Sequence, residues 1–418
     1  MTTSTHTKKK NITLIVVITL LFFFWGLANN MTGTLMNNFG ELIEMTNIQS
    51  SFIKSAFYFA YFFIALPTVY YIYKSSYKNA LIIGLIVYAA GTMLFYPASN
   101  MNSYCFFLLA IYVMAAGCTM LETVANPYII SSTPDISRGI YLLNFAQSFN
   151  PLGAILGILL CNNLILDVSA ATNAAESNPE ILREELDSIT VLYACLGEIL
   201  LIFMVILMFT RIPSRNNIAI CNTPSSFFAS IKRLSKNQKF IYGTITMFLY
   251  MGAQVGTWDY TIPTIKNEEG FTEDDATLIY IISMSTFAIC RFGFTFAMRI
   301  FNYRKLLNIV SLLAMILSLV VVFVGDIYGI ISLVGISGCM SMMFATIYGM
   351  ALSNTGQDMQ TGGGILVMMI SGGALFIPIQ RAVANALSPQ MSYIVPTLCF
   401  MAVYLYSIGM GLMDESKK

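Results

Sequence analysis

Apolar stretches of about 20 residues or more recur from one end of this chain to the other, the length needed to cross about 30 Å of hydrocarbon as a helix. That pattern leaves few folds open. Inside a bilayer each backbone N–H and C=O must be satisfied within the protein, and segments of this length do so as helices rather than as the shorter strands of a barrel. Only 10% of the 418 residues are charged and 57% are hydrophobic, whereas a soluble domain carries roughly 25% charged residues. The expected class is therefore an all-α integral membrane protein.

Twelve spans are expected, at 13–35, 50–72, 79–98, 104–131, 140–165, 190–210, 240–264, 276–298, 305–324, 328–352, 363–386 and 392–412. The longest interruption, 211–239, is basic and mostly polar. It divides the chain into an N-terminal six-helix bundle at 1–210, a cytoplasmic loop at 211–239 and a C-terminal six-helix bundle at 240–418. Two pseudo-symmetric bundles joined in this way are the layout of a large transporter class.

Sidedness follows from the basic residues. Lys8, Lys9, Lys10, Arg138, Arg211, Lys239, Arg304 and Lys418 fall on the side of the termini, whereas only Arg183 and Lys266 fall opposite. The positive-inside rule places both termini in the cytoplasm. Most acids lie outside, at 167–187 and 268–275, which explains a net charge of only +1. The Lys8–Lys10 cluster before an apolar run resembles a signal peptide. The run continues past the usual core into Asn29 and Asn30 with no small-residue cleavage site, so it is read as an uncleaved first span.

Several chemistries lack material. The single histidine is His6, so histidine acid–base catalysis, a serine triad and a histidine metal site are not expected. The eight cysteines are scattered without a C-x-x-C pair and read as packing residues. Gly362-Gly363-Gly364 is not followed by Lys-Ser/Thr, so it is no phosphate loop. Without a nucleotide site, transport would be secondary or passive. No enzyme activity, cofactor, metal or nucleic-acid partner is expected.

One stretch stands out within the spans: Leu121-Glu122-Thr123-Val124-Ala125-Asn126-Pro127, inside the apolar run 104–131. A carboxylate there is costly and is a functional candidate by default. Asn126 follows at i+4, on the same helical face, and Pro127 removes a backbone donor and tends to kink the helix. Other intramembrane polar groups are Asn29, Asn30, Tyr58, Tyr61, and Asn144, Gln147 and Asn150 at i, i+3, i+6. Amides bond hydroxyls as donor and acceptor, and rings cover C–H faces, so the set suits a neutral polyhydroxylated ligand. Interhelical glue, worth about 0.6 kcal/mol per residue, is the competing explanation for any one of them.

These residues also carry a resemblance. Phe24-Trp25-Gly26-Leu27-Ala28-Asn29-Asn30, Ser55-Ala56-Phe57-Tyr58-Phe59, the Glu122 stretch and Asn144-Phe145-Ala146-Gln147-Ser148-Phe149-Asn150 resemble the bacterial fucose permease group of the major facilitator superfamily. In the second half Gly252-Ala253-Gln254 with Trp258, Arg291-Phe292 and Gly356-Gln357-Asp358 are similar. That group comprises fucose, glucose and galactose proton symporters. The resemblance implies alternating access with sugar at the midplane, Glu122 in proton coupling and sugar recognition, and Gln147 and Asn150 on the sugar. The candidate sugar-binding set is then Asn29, Asn30, Tyr58, Asn126, Asn144, Gln147, Asn150, Gln254 and Trp258.

The chain departs from the group at Gly33, where its members usually carry an acid. Laying the halves together so that Trp25-Gly26 meets Met251-Gly252 puts Asp259 opposite Gly33, the kind of internal correspondence such halves retain. Asp259 and Arg381 each lie about five residues from the outer end of a span, so at about 1.5 Å per residue their depths match. They are expected as a charge bridge or gate, or as a purely structural ion pair. A cation beside Asp259 would keep it ionised, leaving Glu122, with no counter-ion, as the better proton carrier. Arg291 and Asp358 are expected to lock the inner side of the second half. Glu198 has no assigned role.

The reading is a monomeric sugar symporter of a bacterial cytoplasmic membrane, driven by protons or sodium. Its rivals are a passive facilitator or exchanger and, less favoured, a membrane sugar sensor.

Overall fold

The computed structural model describes residues 16–27, 30, 47–101, 103–165, 179–209, 227–268 and 270–415. Among these residues every regular element is helical. In chain order they are α1 (Val16–Leu27), α2 (Asn47–Lys74), α3 (Tyr77–Met93), α4 (Phe95–Asn100), α5 (Tyr104–Ser131), α6 (Ile136–Gln147), α7 (Asn150–Ile165) and α8 (Pro179–Phe209). After the central loop come α9 (Phe227–Leu234), α10 (Gln238–Lys266), α11 (Glu273–Ala297), α12 (Tyr303–Phe323), α13 (Asp326–Met340), α14 (Met343–Leu352), α15 (Met359–Met368), α16 (Gly372–Ala386) and α17 (Ile394–Glu415).

Nine spans among the described residues are long and apolar enough to cross a membrane. Three expected spans differ for separable reasons. The first is described only over part of its length. The seventh, α10, has 29 residues but spaces Thr246, Gln254, Thr257, Asp259, Thr261 and Thr264 among its apolar ones, which lowers its hydropathy. The fifth breaks at Ser148-Phe149 into α6 and α7. Pro151 has no N–H to return to the Gln147 carbonyl, and the Ser148 hydroxyl instead donates to the Asn144 carbonyl at 2.8 Å. The tenth and eleventh spans are interrupted too, at Ser341-Met342 and by the 3₁₀ turn Met369–Ser371.

The chain divides into two compact units, residues 1–125 with 152–222 and residues 126–151 with 223–418. In the first, α3 and α5 approach closely because Gly91 faces the Met114 backbone and Gly117 the Tyr88 backbone, positions with no room for a Cβ. Small residues at such crossings are how membrane helices gain contact without a hydrophobic driving force. Phe95 stacks on Tyr193 at 3.9 Å between centroids, fastening α4 to α8.

In the second unit the final turns of α5 and all of α6 pack with helices from the later part of the chain. Gly349 of α14 lies against Ile140, and Gly363 of α15 against Pro127. α10 is the central strut: Tyr250 donates to the Met340 carbonyl at 2.9 Å, and the Thr257 carbonyl accepts from Tyr393 at 2.9 Å. Asn237 caps its start by accepting from the Phe240 N–H. α11 opens on a reciprocal capping box of Thr272 and Asp275, which satisfies two otherwise orphaned donors.

Candidate functional site

Glu122 sits on α5 in the first unit, half-buried, with Oε2 fully buried and lacking a hydrogen-bond partner among the described residues. The Tyr61 hydroxyl of α2 lies within hydrogen-bonding reach of this carboxyl, and Trp25 within reach of Tyr61. Tyr58, one turn earlier on α2, is half-buried and meets Phe57 edge-on at 5.5 Å. The α5 helix places the acid here because its neighbours Ala115, Cys118, Leu121 and Ala125 are all buried apolar residues.

In the second unit a continuous polar chain runs through three buried side chains. Arg291 Nη2 donates to Gln147 Oε1 at 2.6 Å, and Gln147 Nε2 donates to Asn126 Oδ1 at 3.1 Å. Asn126 is 0% exposed and the other two 5% each, so solvent does not compete for these bonds. Asn126 Nδ2 and Arg291 Nε have no partner among the described residues. Asn144 donates to the Ile140 carbonyl at 3.0 Å and to Thr346 at 3.5 Å, tying α6 to α14.

An aromatic wall adjoins this chain. The Arg291 guanidinium lies 5.3 Å from the Phe287 ring centre, one turn earlier on α11. Trp258 meets Phe287 edge-on at 5.0 Å. Its Nε1–H donates to Ser337 at 3.2 Å, and Ser337 is bonded in turn to Ser283 at 2.6 Å. The indole is thereby held at both edge and ring, with apolar and polar surfaces side by side, as recognition of a sugar's C–H face and hydroxyls requires.

The expected residues distribute as follows. Asn126, Gln147 and Arg291 are joined directly, and Asn144, Gln254 and Trp258 lie in the same unit, with Gln254 buried on α10. Asn150 is half-buried at the start of α7. Asn30 turns its amide to the Gly26 carbonyl of its own segment at 3.1 Å. Asn29 and Gly33 lie outside the described residues. Arg381 is within hydrogen-bonding reach of Tyr260, and both Arg381 and Asp259 act electrostatically on that hydroxyl, so the two charges share one neighbourhood.

Arg291 and Asp358, both expected to lock the inner side of the second half, take separate partners: Asp358 pairs with Arg233 of α9, and Arg291 reaches into the buried amides. Residue spacing had no means of finding Arg233, which lies 125 positions from Asp358. Thr346, Ser337 and Phe287 were likewise missed, being ordinary residues until tertiary packing sets them beside the site. Glu198 is exposed.

An apolar chain whose described residues form only helices, with an intramembrane acid and buried amides, belongs to a recognisable class, and the sequence profile of the Major Facilitator Superfamily matches residues 14–378. The chain belongs to that superfamily of membrane transporters and has its fold of twelve spanning helices in two related halves. It is 33% identical over 402 residues to the L-fucose-proton symporter of Escherichia coli strain K12, covering 93% of this chain and 90% of that protein. It is 29% identical over 412 residues to the glucose/galactose transporter of Brucella abortus, covering 97% and 96%. The crystal structure of the E. coli fucose:proton symporter superposes with a TM-score of 0.82 at 31% identity, covering 96% of this chain and 99% of that one.

Proposed function

We propose that this chain carries a neutral hexose or deoxyhexose across a bacterial cytoplasmic membrane by proton symport, as a monomer with both termini in the cytoplasm. The observation that carries the reading is Glu122, an acid in an apolar helix with one buried oxygen that has no hydrogen-bond partner among the described residues. Such a group can take up and release a proton as its surroundings change, which coupling requires. The buried amides of Asn126, Asn144 and Gln147 with the indole of Trp258 supply hydroxyl and C–H recognition. The activities of the relatives, L-fucose–proton symport and glucose/galactose transport, fit both features.

Uptake of labelled L-fucose, D-glucose, D-galactose and N-acetylglucosamine into vesicles, with imposed pH or sodium gradients, tests the proposal. Uphill accumulation of one sugar driven by an inward proton gradient is expected. Accumulation driven only by sodium, or none of these sugars entering, would overturn it. Gly33 favours a second reading, a facilitator, because it removes an acid at that position. An uncoupler separates the two: a facilitator equilibrates sugar regardless, whereas a symporter loses accumulation.

A further inference from the structure

We infer that Arg291 is a positioning residue whose guanidinium fixes which way round the Gln147 and Asn126 amides face, so that the pair ends in an N–H donor for ligand. The identity of that ligand as a sugar rests on the transport reading above; the orientation rests on geometry alone.

A guanidinium has donors and no acceptor, whereas a carboxamide has one of each at nearly interchangeable positions. With Arg291 Nη2 at 2.6 Å, Gln147 must turn its oxygen toward the cation. Its NH2 is thereby committed to the far side, where Asn126 Oδ1 accepts it at 3.1 Å. Asn126 in turn is left with Nδ2, a buried donor without a partner among the described residues. A fixed charge at one end of the chain thus selects one of the four possible amide arrangements. Burial makes the selection strict, because no solvent stands by to satisfy a reversed amide.

Arg291 is itself held for this task. Phe287 lies against the guanidinium, Trp258 braces Phe287, and Ser337 fixes the indole N–H. A ligand atom meeting Asn126 Nδ2 must accept a hydrogen bond, as a hydroxyl or ring oxygen of a sugar does and a methylene does not. Arg291 acts on this choice through Gln147 and Asn126.

The test uses the full chain in proteoliposomes with L-fucose, D-glucose and D-galactose and their monodeoxy and monofluoro derivatives, since fluorine accepts a hydrogen bond and cannot donate one. In the wild type, one ring position is expected at which the fluoro derivative has a KM about tenfold below that of the deoxy derivative, the worth of one hydrogen bond. Arg291→Met abolishes that preference at that position alone, and Arg291→Lys restores it. Gln147→Glu accepts from both Arg291 and Asn126, turns Asn126 Oδ1 toward the ligand, and makes the fluoro derivative as poor as the deoxy one. An unaltered preference in Arg291→Met, or an unaltered one in Gln147→Glu if the methionine variant does not fold, overturns the inference.

A second measurement does not depend on transport. With ¹⁵N-glutamine-labelled protein in micelles, the Gln147 side-chain resonance is identified by its loss in Gln147→Glu. Its hydrogen exchange is expected to quicken about tenfold in Arg291→Met and to stay near wild type in Arg291→Lys. Unchanged exchange overturns the inference. If the wild type takes up none of the three sugars, the transport reading fails and this exchange measurement still decides the orientation.

Discussion

Arg233 holds Asp358 through two parallel bonds, Nε to Oδ2 at 2.8 Å and Nη2 to Oδ1 at 2.6 Å, joining the short helix α9 to the turn that opens α15. The partners differ in environment: the Asp358 side chain is 7% exposed and that of Arg233 41%. Arg233→Ala therefore strands a buried carboxylate, at about 2 kcal/mol, whereas Asp358→Ala leaves a guanidinium that water can reach, at under about 1 kcal/mol. Thermal unfolding of both purified variants checks the order. A lower Tm for the Asp358 variant would contradict it.

Glu122→Gln keeps the shape and the hydrogen-bonding reach of Tyr61 but removes the ionisable proton. Accumulation against a gradient is expected to vanish, while downhill exchange of labelled sugar survives at a reduced rate. Parallel measurements of net uptake and exchange in vesicles separate these. A variant that still concentrates sugar when the outside is acidified would remove Glu122 from coupling.

If Asp259 and Arg381 balance each other, either charge alone is harder to keep in the protein than both or neither. Asp259→Asn and Arg381→Gln should each lower uptake and Tm, and the double neutralisation should recover part of both losses. Additive losses in the double variant would mean that the two charges act independently.

Gly363 is a packing position rather than a flexible one: a Cβ there would stand 2.7 Å from Tyr348 Oη and 2.9 Å from Pro127 Cβ. Gly363→Val is expected to destabilise by about 1–3 kcal/mol through overpacking. Gly293 of α11 is the control, since a Cβ there meets nothing within 4 Å. Gly293→Ala should be neutral or slightly stabilising, by up to about 1 kcal/mol, from helix propensity. Tm values for the pair give the comparison.

The helical class was legible because apolar length alone dictates it, and Glu122 stood out as a candidate because an acid in an apolar run has so few innocent explanations. The interruption at Ser148-Phe149 had a signal in Pro151 that the overall length of the fifth span outweighed. The breaks near Ser341 and Met369 had less to announce them: they occur within runs of small and apolar residues whose composition suits either a continuous or a broken helix. Asn126 and Gln147 were recognisable as polar groups in apolar surroundings. That Arg291 completes their chain was not recognisable, because Arg291 and Gln147 are 144 positions apart, and helical spacing carries no information at that separation. The assignment of Arg291 to the inner side followed from its place near a helix end, where long cations commonly reach outward; this one turns inward.

Each end of the Gln147 amide already holds one partner, a cation on the oxygen and a neighbour of its own kind on the nitrogen. One lone pair and one N–H remain on that side chain, in directions the resident bonds have already set. A guest of the right pattern gains only those few bonds, and one of the wrong pattern leaves a buried group unsatisfied. Weak, discriminating capture of that sort suits a carrier, which has to let go of its cargo as readily as it takes hold.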